Sequence, residues 1–179
     1  MIDPGRTAPD FALPGLVDGE GRWIELVERV RSHAAVAVAF VPGDFIPAST
    51  AELIAIDEAW ADCPELAVLC LSGDGLYSHR AYADRHELKT PLLADFHGEV
   101  ADSYGLRAAE WEGHREIPRR ATVVIDDDWT VRAVETAEPL ARTRPAPAAR
   151  ATVALRECGL EVARPTVEYG AVPSLDEQH

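Results

Sequence analysis

Ala34–Val41 (AAVAVAFV) is the longest stretch of the chain without a polar position. A short apolar run of this kind reads as a strand covered on both faces, and it is far too short to cross a bilayer. Leu66–Leu71 (LAVLCL) has the same character, and Arg120–Ile125 (RATVVI) reads as a third strand. Between the first two strands the period changes: Leu53, Ile56 and Trp60 recur at spacings of three and four, which predicts a helix with one buried face. That helix should open at Ala48 or Ser49 and run to about Asp62. Further helices are expected at Leu26–Ser32, Ser78–His86, Gly98–Tyr104 (closed by Gly105) and Ala148–Glu157 (stopped by Gly159).

The remaining segments are set by turn chemistry. Asp18-Gly19-Glu20-Gly21 is a turn leading into a short strand, Trp23–Leu26. Asp126-Asp127-Asp128 folds the RATVVI strand back on Val131–Glu135 as a hairpin. Pro4–Pro14 carries three prolines and reads as an extended arm or an edge strand. Leu92–Asp95 reads as a short link, Thr136–Pro147 as a loop, and the polar tail from Arg164 as irregular. No repeat or interdomain linker interrupts the chain. Strands alternating with helices, then a hairpin and a last helix, predict an α/β sandwich around a mixed central sheet.

Composition adds the setting. A chain of 179 residues with 47% hydrophobic content supports one domain with a sizeable core. The net charge is −14, from 31 acidic and 17 basic residues, and Lys89 is the one lysine. Such a surface repels nucleic acid and anionic membranes, so neither is an expected partner. A lysine-poor, carboxylate-rich surface suits concentrated salt, where self-repulsion is screened. No basic segment followed by an apolar stretch opens the chain, and the expected compartment is the cytoplasm. Cys63, Cys70 and Cys158 form no C-x-x-C pair, so neither a dithiol nor a zinc site is expected. The six histidines are scattered; His79 and His86 could share a helix face, but no metal site is expected. The Asp126–Asp128 run lacks the rest of a calcium loop, and no Gly-rich phosphate loop is present. No cofactor is expected.

Several markers, in order, resemble the peroxiredoxin family (the alkyl hydroperoxide reductase and thiol-specific antioxidant type, including its bacterioferritin-comigratory branch). They are Ala8-Pro9-Asp10-Phe11, Phe40-Val41-Pro42-Gly43-Asp44-Phe45, Ser72-Gly73-Asp74 with Ser78-His79, Pro91-Leu92-Leu93-Ala94-Asp95, Tyr104-Gly105-Leu106 and Arg120-Ala121-Thr122-Val123-Val124-Ile125-Asp126. The resemblance spans roughly Gly5 to Leu160. It implies a thioredoxin-like domain over residues 1–160, a C-terminal tail over 161–179, and association as a homodimer. The family's active loop is Pro, three residues, Thr or Ser, two residues, Cys, with an arginine from the later strand. Pro42 and Arg120 match. Ile46 falls where the hydroxyl residue stands, and Ser49 falls where the peroxidatic cysteine stands.

The departures matter chemically. The family reaction is attack of a thiolate on a peroxide O–O bond, favoured by the helix N-terminus and the arginine. A serine hydroxyl stays protonated at neutral pH without a general base, and it cannot form a sulfenic acid. Ile46 removes a hydrogen-bonding group from the pocket. The expected protein therefore has the family's frame and no peroxidase turnover, with a pocket for a small peroxide or another small ligand. Two other readings stand beside it: a genuine thiol peroxidase whose cysteine was replaced by Ser49, and a binding or scaffold protein using the retained fold. Cys70 is expected to be an inert core residue. Cys63 is too far along the helix to take over the pocket, and Cys158 lacks the context of a resolving cysteine. A Ser-His-Asp hydrolase lacks its G-x-S-x-G elbow. Trp60, Trp111 and Trp129 are core or interface residues.

Overall fold

The computed structural model describes residues 1–107, 117–138 and 141–170, with the backbone alone at 110–111 and 114–115. The side chains of Trp111 and His114, and all of His179, lie outside the described residues. The elements run in chain order as β1 (Ala12–Val17), β2 (Glu20–Glu25), α1 (Leu26–Ser32), β3 (Ala35–Phe40), α2 (Pro47–Trp60), β4 (Leu66–Ser72) and α3 (Leu76–His86). They continue as β5 (Leu92–Ala94), α4 (Glu99–Ser103), β6 (Glu110–Trp111), β7 (His114–Arg115), β8 (Arg120–Asp126), β9 (Val131–Ala137) and α5 (Pro147–Glu157). Seven strands form one sheet in the order β2-β1-β5-β4-β3-β8-β9; β6 and β7 pair separately. The sheet is mixed: β3 runs parallel to β4 and β4 to β5, while β8 and β9 are antiparallel neighbours.

Strand alternation divides the core into two faces. Val36, Val38 and Phe40 of β3 face the same way as Leu69, Leu71, Val123 and Ile125, under α1 and α4. Ala35, Ala37 and Ala39 face the other way, with Val68 and Val124, under α2 and α5. Alanines on this second face let the helices approach closely, and Trp60 of α2 fills the space they leave. Val41, Leu53, Cys70, Tyr82 and Leu92 complete it beneath α2 and α3.

Two expectations need correction. The Pro4–Pro14 arm does not end as an edge strand: Ala12–Val17 lies inside the sheet, between β2 and β5. Pro14 is tolerated there because β5 pairs only with Gly15 and Leu16, so no ladder bond is asked of the proline nitrogen. Gly15 is required by the crowding, since a Cβ would meet Ile24 Cδ1 at 2.5 Å. Leu92–Asp95 is not a link. Its first three residues are a buried strand parallel to β4, and Asp95 accepts from the backbone N–H groups of Val100 and Ala101 at the start of α4. The other predicted elements are present within a few residues of their expected ends.

Candidate active site

The site sits where β3 ends and α2 begins. Phe40-Val41-Pro42 leaves the sheet fully buried, and Val41 N–H still bonds to Leu71 O at 2.9 Å. The loop Gly43–Ile46 is then held from one side by a compact polar cluster. Asp44 N–H donates to Asp74 Oδ2 at 2.7 Å, and Ser78 Oγ and His79 Nδ1 donate to Asp44 Oδ2 at 2.7 and 2.9 Å. Asp74 N–H in turn donates to Ser72 Oγ at 3.1 Å. The Asp44 and His79 side chains are 3% and 1% exposed. The Ser72, Asp74, Ser78 and His79 markers thus act as loop anchors rather than as reacting groups. Phe45 takes a left-handed φ of 60°, which turns its ring out onto Tyr82 at 5.0 Å.

Ile46 occupies the N-cap of α2 in an extended conformation and offers no side-chain acceptor. Its Cδ1 lies over Gly43, 3.5 Å from where a Cβ would stand. Pro47 opens the helix, and the first turn closes with Thr50 N–H to Ile46 O at 2.8 Å. Ser49 is therefore in the first turn. It is completely buried, and its Oγ has no hydrogen-bond partner.

One turn further on, Glu52 points to the same interior. Its Oε2 lies 2.8 Å from Arg120 Nε, with the side chains 4% and 1% exposed. Its Oε1 accepts the Ala148 N–H at 2.8 Å, at the start of α5. Burial pushes the Glu52 carboxyl up, against the pull of the Arg120 charge and the Ala148 N–H. Arg120, the first residue of β8, reaches this interior because alternation along β8 puts residues 120, 122 and 124 on the α2/α5 face. Its Nη2 donates to Thr143 Oγ1 at 3.3 Å and to Tyr169 Oη at 3.0 Å. Nη1 is buried without a partner, as is Thr122 Oγ1.

The four residues singled out in the sequence lie as follows: Pro42 buried where β3 leaves the sheet, Ile46 half-buried at the N-cap of α2, Ser49 buried in its first turn, and Arg120 joined to α2 through Glu52. Three participants escaped sequence reasoning. Glu52 could have been found, since it shares the 49–53–56–60 stripe of the helix and an acid on a buried stripe needs a partner. Thr143 and Tyr169 lie in irregular segments with no periodic signal. None of the cysteines lies in the first turn of α2. Cys70 is buried on β4, and burial pushes its thiol far up. Cys63 follows the far end of α2. Cys158 caps the far end of α5, half-buried, with its thiol also pushed up by burial.

The fold is that of the thioredoxin-like peroxiredoxins. The peroxidoxin BcpB of Mycobacterium tuberculosis superposes with a TM-score of 0.69 at 25% identity, covering 89% of this chain and 97% of that one. A reduced 2-Cys peroxiredoxin of Plasmodium vivax gives 0.67 at 22% identity, over 78% and 88% of the two chains. The AhpC/TSA family model matches residues 4–134, and the chain belongs to that family. Among similar sequences, a selenocysteine-containing peroxiredoxin of Peptoclostridium acidaminophilum is 28% identical over 144 residues, 75% of this chain and 68% of its own length. Peroxiredoxin 2 of Thermoplasma acidophilum is 36% identical over 116 residues, 57% of this chain and 52% of its own length. No helix among the described residues is long and apolar enough to cross a membrane.

Proposed function

We propose that Ser49 stands at the peroxidatic position and that the chain is a peroxiredoxin-family protein without thiol peroxidase turnover, whose pocket takes a small ligand. The observation that supports this is the content of the first turn of α2: a buried hydroxyl, Ser49 Oγ, one turn before the Glu52 that pairs with Arg120. Family turnover requires the thiolate sulfur to bond one peroxide oxygen as the O–O bond breaks, leaving a sulfenic acid and a hydroxide that takes up a proton. Ser49 has no sulfur to oxidise, and no hydrogen-bonded base draws off its proton. The thiols that remain lie outside the turn, and the most buried of them is held in its neutral form.

Hydrogen peroxide consumption under excess dithiothreitol tests the reading, with Ser49→Cys run beside the natural chain. Silence in the natural chain and turnover in the variant is the expected outcome. Robust turnover in the chain carrying Ser49 that is lost in Ser49→Ala would overturn it.

The retained Arg120, whose Nη1 is buried with no protein partner, favours a second reading, a thiol peroxidase whose cysteine was replaced by Ser49. A cysteine codon at position 49 in the source gene would establish that reading. A homodimer is part of either proposal. Phe45, Tyr77 and Phe96 are exposed apolar side chains suited to such contact, and light scattering reads the state directly.

A further inference from the structure

We propose that the segment following α5, residues 161–170, is a strap latched over the pocket by Tyr169, whose hydroxyl holds the place on Arg120 that an incoming ligand needs. The proposal rests on the reading of this pocket as the ligand site.

The strap is fastened firmly at its beginning. Trp60 Nε1 donates to Ala163 O at 2.9 Å, Arg156 donates to Val162 O at 3.1 and 3.3 Å, and Val162 and Pro165 are buried. Beyond Pro165 it has no regular structure, and Arg164, Thr166, Glu168 and Gly170 are exposed. The next side-chain bonds it makes are those of Tyr169. Its hydroxyl accepts from Arg120 Nη2 at 3.0 Å and donates to Thr143 O at 3.2 Å, and the guanidinium carbon lies 5.7 Å from the ring centroid.

Open space flanks this latch on both sides. One cavity of about 600 Å³ lies between the strap and the Thr143–Ala149 segment. Another of about 310 Å³ lies between Tyr169 and the outer face of the first turns of α2, against Phe45, Ala51 and Ile54. Among the described residues, the segment is fixed at its beginning and held beyond Pro165 by one phenol, an arrangement that can swing without breaking the core.

Tyr169 also shows the chemistry of what would replace it. Arg120 presents an unpartnered Nη1 and an Nη2 whose bonds go to neutral hydroxyls, those of Thr143 and Tyr169. A small ligand with a hydroxyl or oxyanion end meets both nitrogens and forms the stronger, charge-assisted bonds if it is ionised. Its apolar part would then occupy the space beside Phe45 and Ile54.

The strap is tested by access rather than turnover, so failure of this inference is distinct from failure of the functional reading. In Ser49→Cys, alkylation of residue 49 by iodoacetamide is followed by site-resolved mass spectrometry, between about pH 7 and pH 9.5 to span thiol ionisation. The high-pH plateau reports access, and the midpoint reports thiolate stabilisation. Adding Tyr169→Ala, which removes both hydrogen bonds of the hydroxyl, should raise the plateau about tenfold or more, since one ordinary hydrogen bond alone sustains a shift of about that size. Tyr169→Phe, which keeps the ring and loses the latch, should raise it too. Circular dichroism melts verify that each variant is folded. An unchanged plateau in Tyr169→Ala overturns the strap, and a plateau in Tyr169→Phe equal to that of its parent overturns the hydroxyl as its latch.

Discussion

Glu52 Oε2 lies 2.8 Å from Arg120 Nε, and both side chains are withdrawn from solvent. The pair ties three elements together: α2 through Glu52, β8 through Arg120, and α5 through the Ala148 N–H that bonds to the other carboxylate oxygen. Removing one charge leaves the other buried and uncompensated. Glu52→Gln should therefore cost about 3–5 kcal/mol, lowering the melting temperature by roughly ten degrees for a chain of this size. A Glu52→Leu/Arg120→Met double variant should recover much of the loss, because an apolar pair owes no desolvation cost. Thermal melts of both variants check this. A Glu52→Gln melt equal to that of the natural chain would mean that water reaches the pair.

Thiol reactivity should follow burial. Cys70 is enclosed by α2 and α3, and burial together with the Asp44 and Glu52 charges disfavours its thiolate. Burial and the nearby Asp126 act in the same direction on Cys158, more weakly because it is half-buried. A disulfide-exchange reagent should titrate Cys63 first, Cys158 slowly and Cys70 only after unfolding in guanidinium. Fast labelling of Cys70 in the native protein would contradict the packing of Leu53 and Tyr82 around it.

Much of this architecture is written in local pattern. The AAVAVAF strand needs no partner knowledge to be recognised as buried, and RATVVI followed by an aspartate turn specifies its own hairpin. Leu92–Ala94 was illegible for the opposite reason. Three residues make no period, and they become a strand only because β4 and β1 lie on either side. Pro14 misleads in the same way, since whether a proline is tolerated depends on how far the neighbouring strand extends. The site divides along similar lines. Ser49 and Arg120 are placed by elements that the sequence predicts well. The Tyr169–Arg120 contact joins residues 49 positions apart through a coil, and nothing in local chemistry announces it.

Acid should weaken the rim of the site through His86. Its ring packs on Tyr82 at 5.1 Å and near Phe45 at 6.3 Å. Burial, helped by Arg85, pushes its pKa down. The unfolded chain then takes up a proton before the folded one as the pH falls below about 6.5, the ordinary histidine value, so this contribution to stability is full at higher pH and shrinks through that window. The melting temperature of the natural chain should fall more between pH 7.5 and pH 5.5 than that of His86→Gln, both limits being about a unit either side of that value. Parallel curves would remove His86 from the account.

Salt should act on the whole surface. With 31 acidic residues against 17 basic and a net charge of −14, the folded chain concentrates like charge that the unfolded chain spreads out. Described surface pairs such as Lys89–Asp62 and Arg119–Glu138 join exposed groups and offset little of this. The screening length contracts from about 10 Å at 0.1 M salt to about 3 Å at 1 M, less than the spacing of most surface charges. Repulsion should therefore fade faster than the buried Glu52–Arg120 attraction, which is shielded from ions. The melting temperature should rise steadily in KCl from low to molar concentration, and Glu52→Gln should show the same rise from a lower start. A flat or falling curve would mean that the charge is already balanced by local pairing and that the acidic surface is no adaptation to salt.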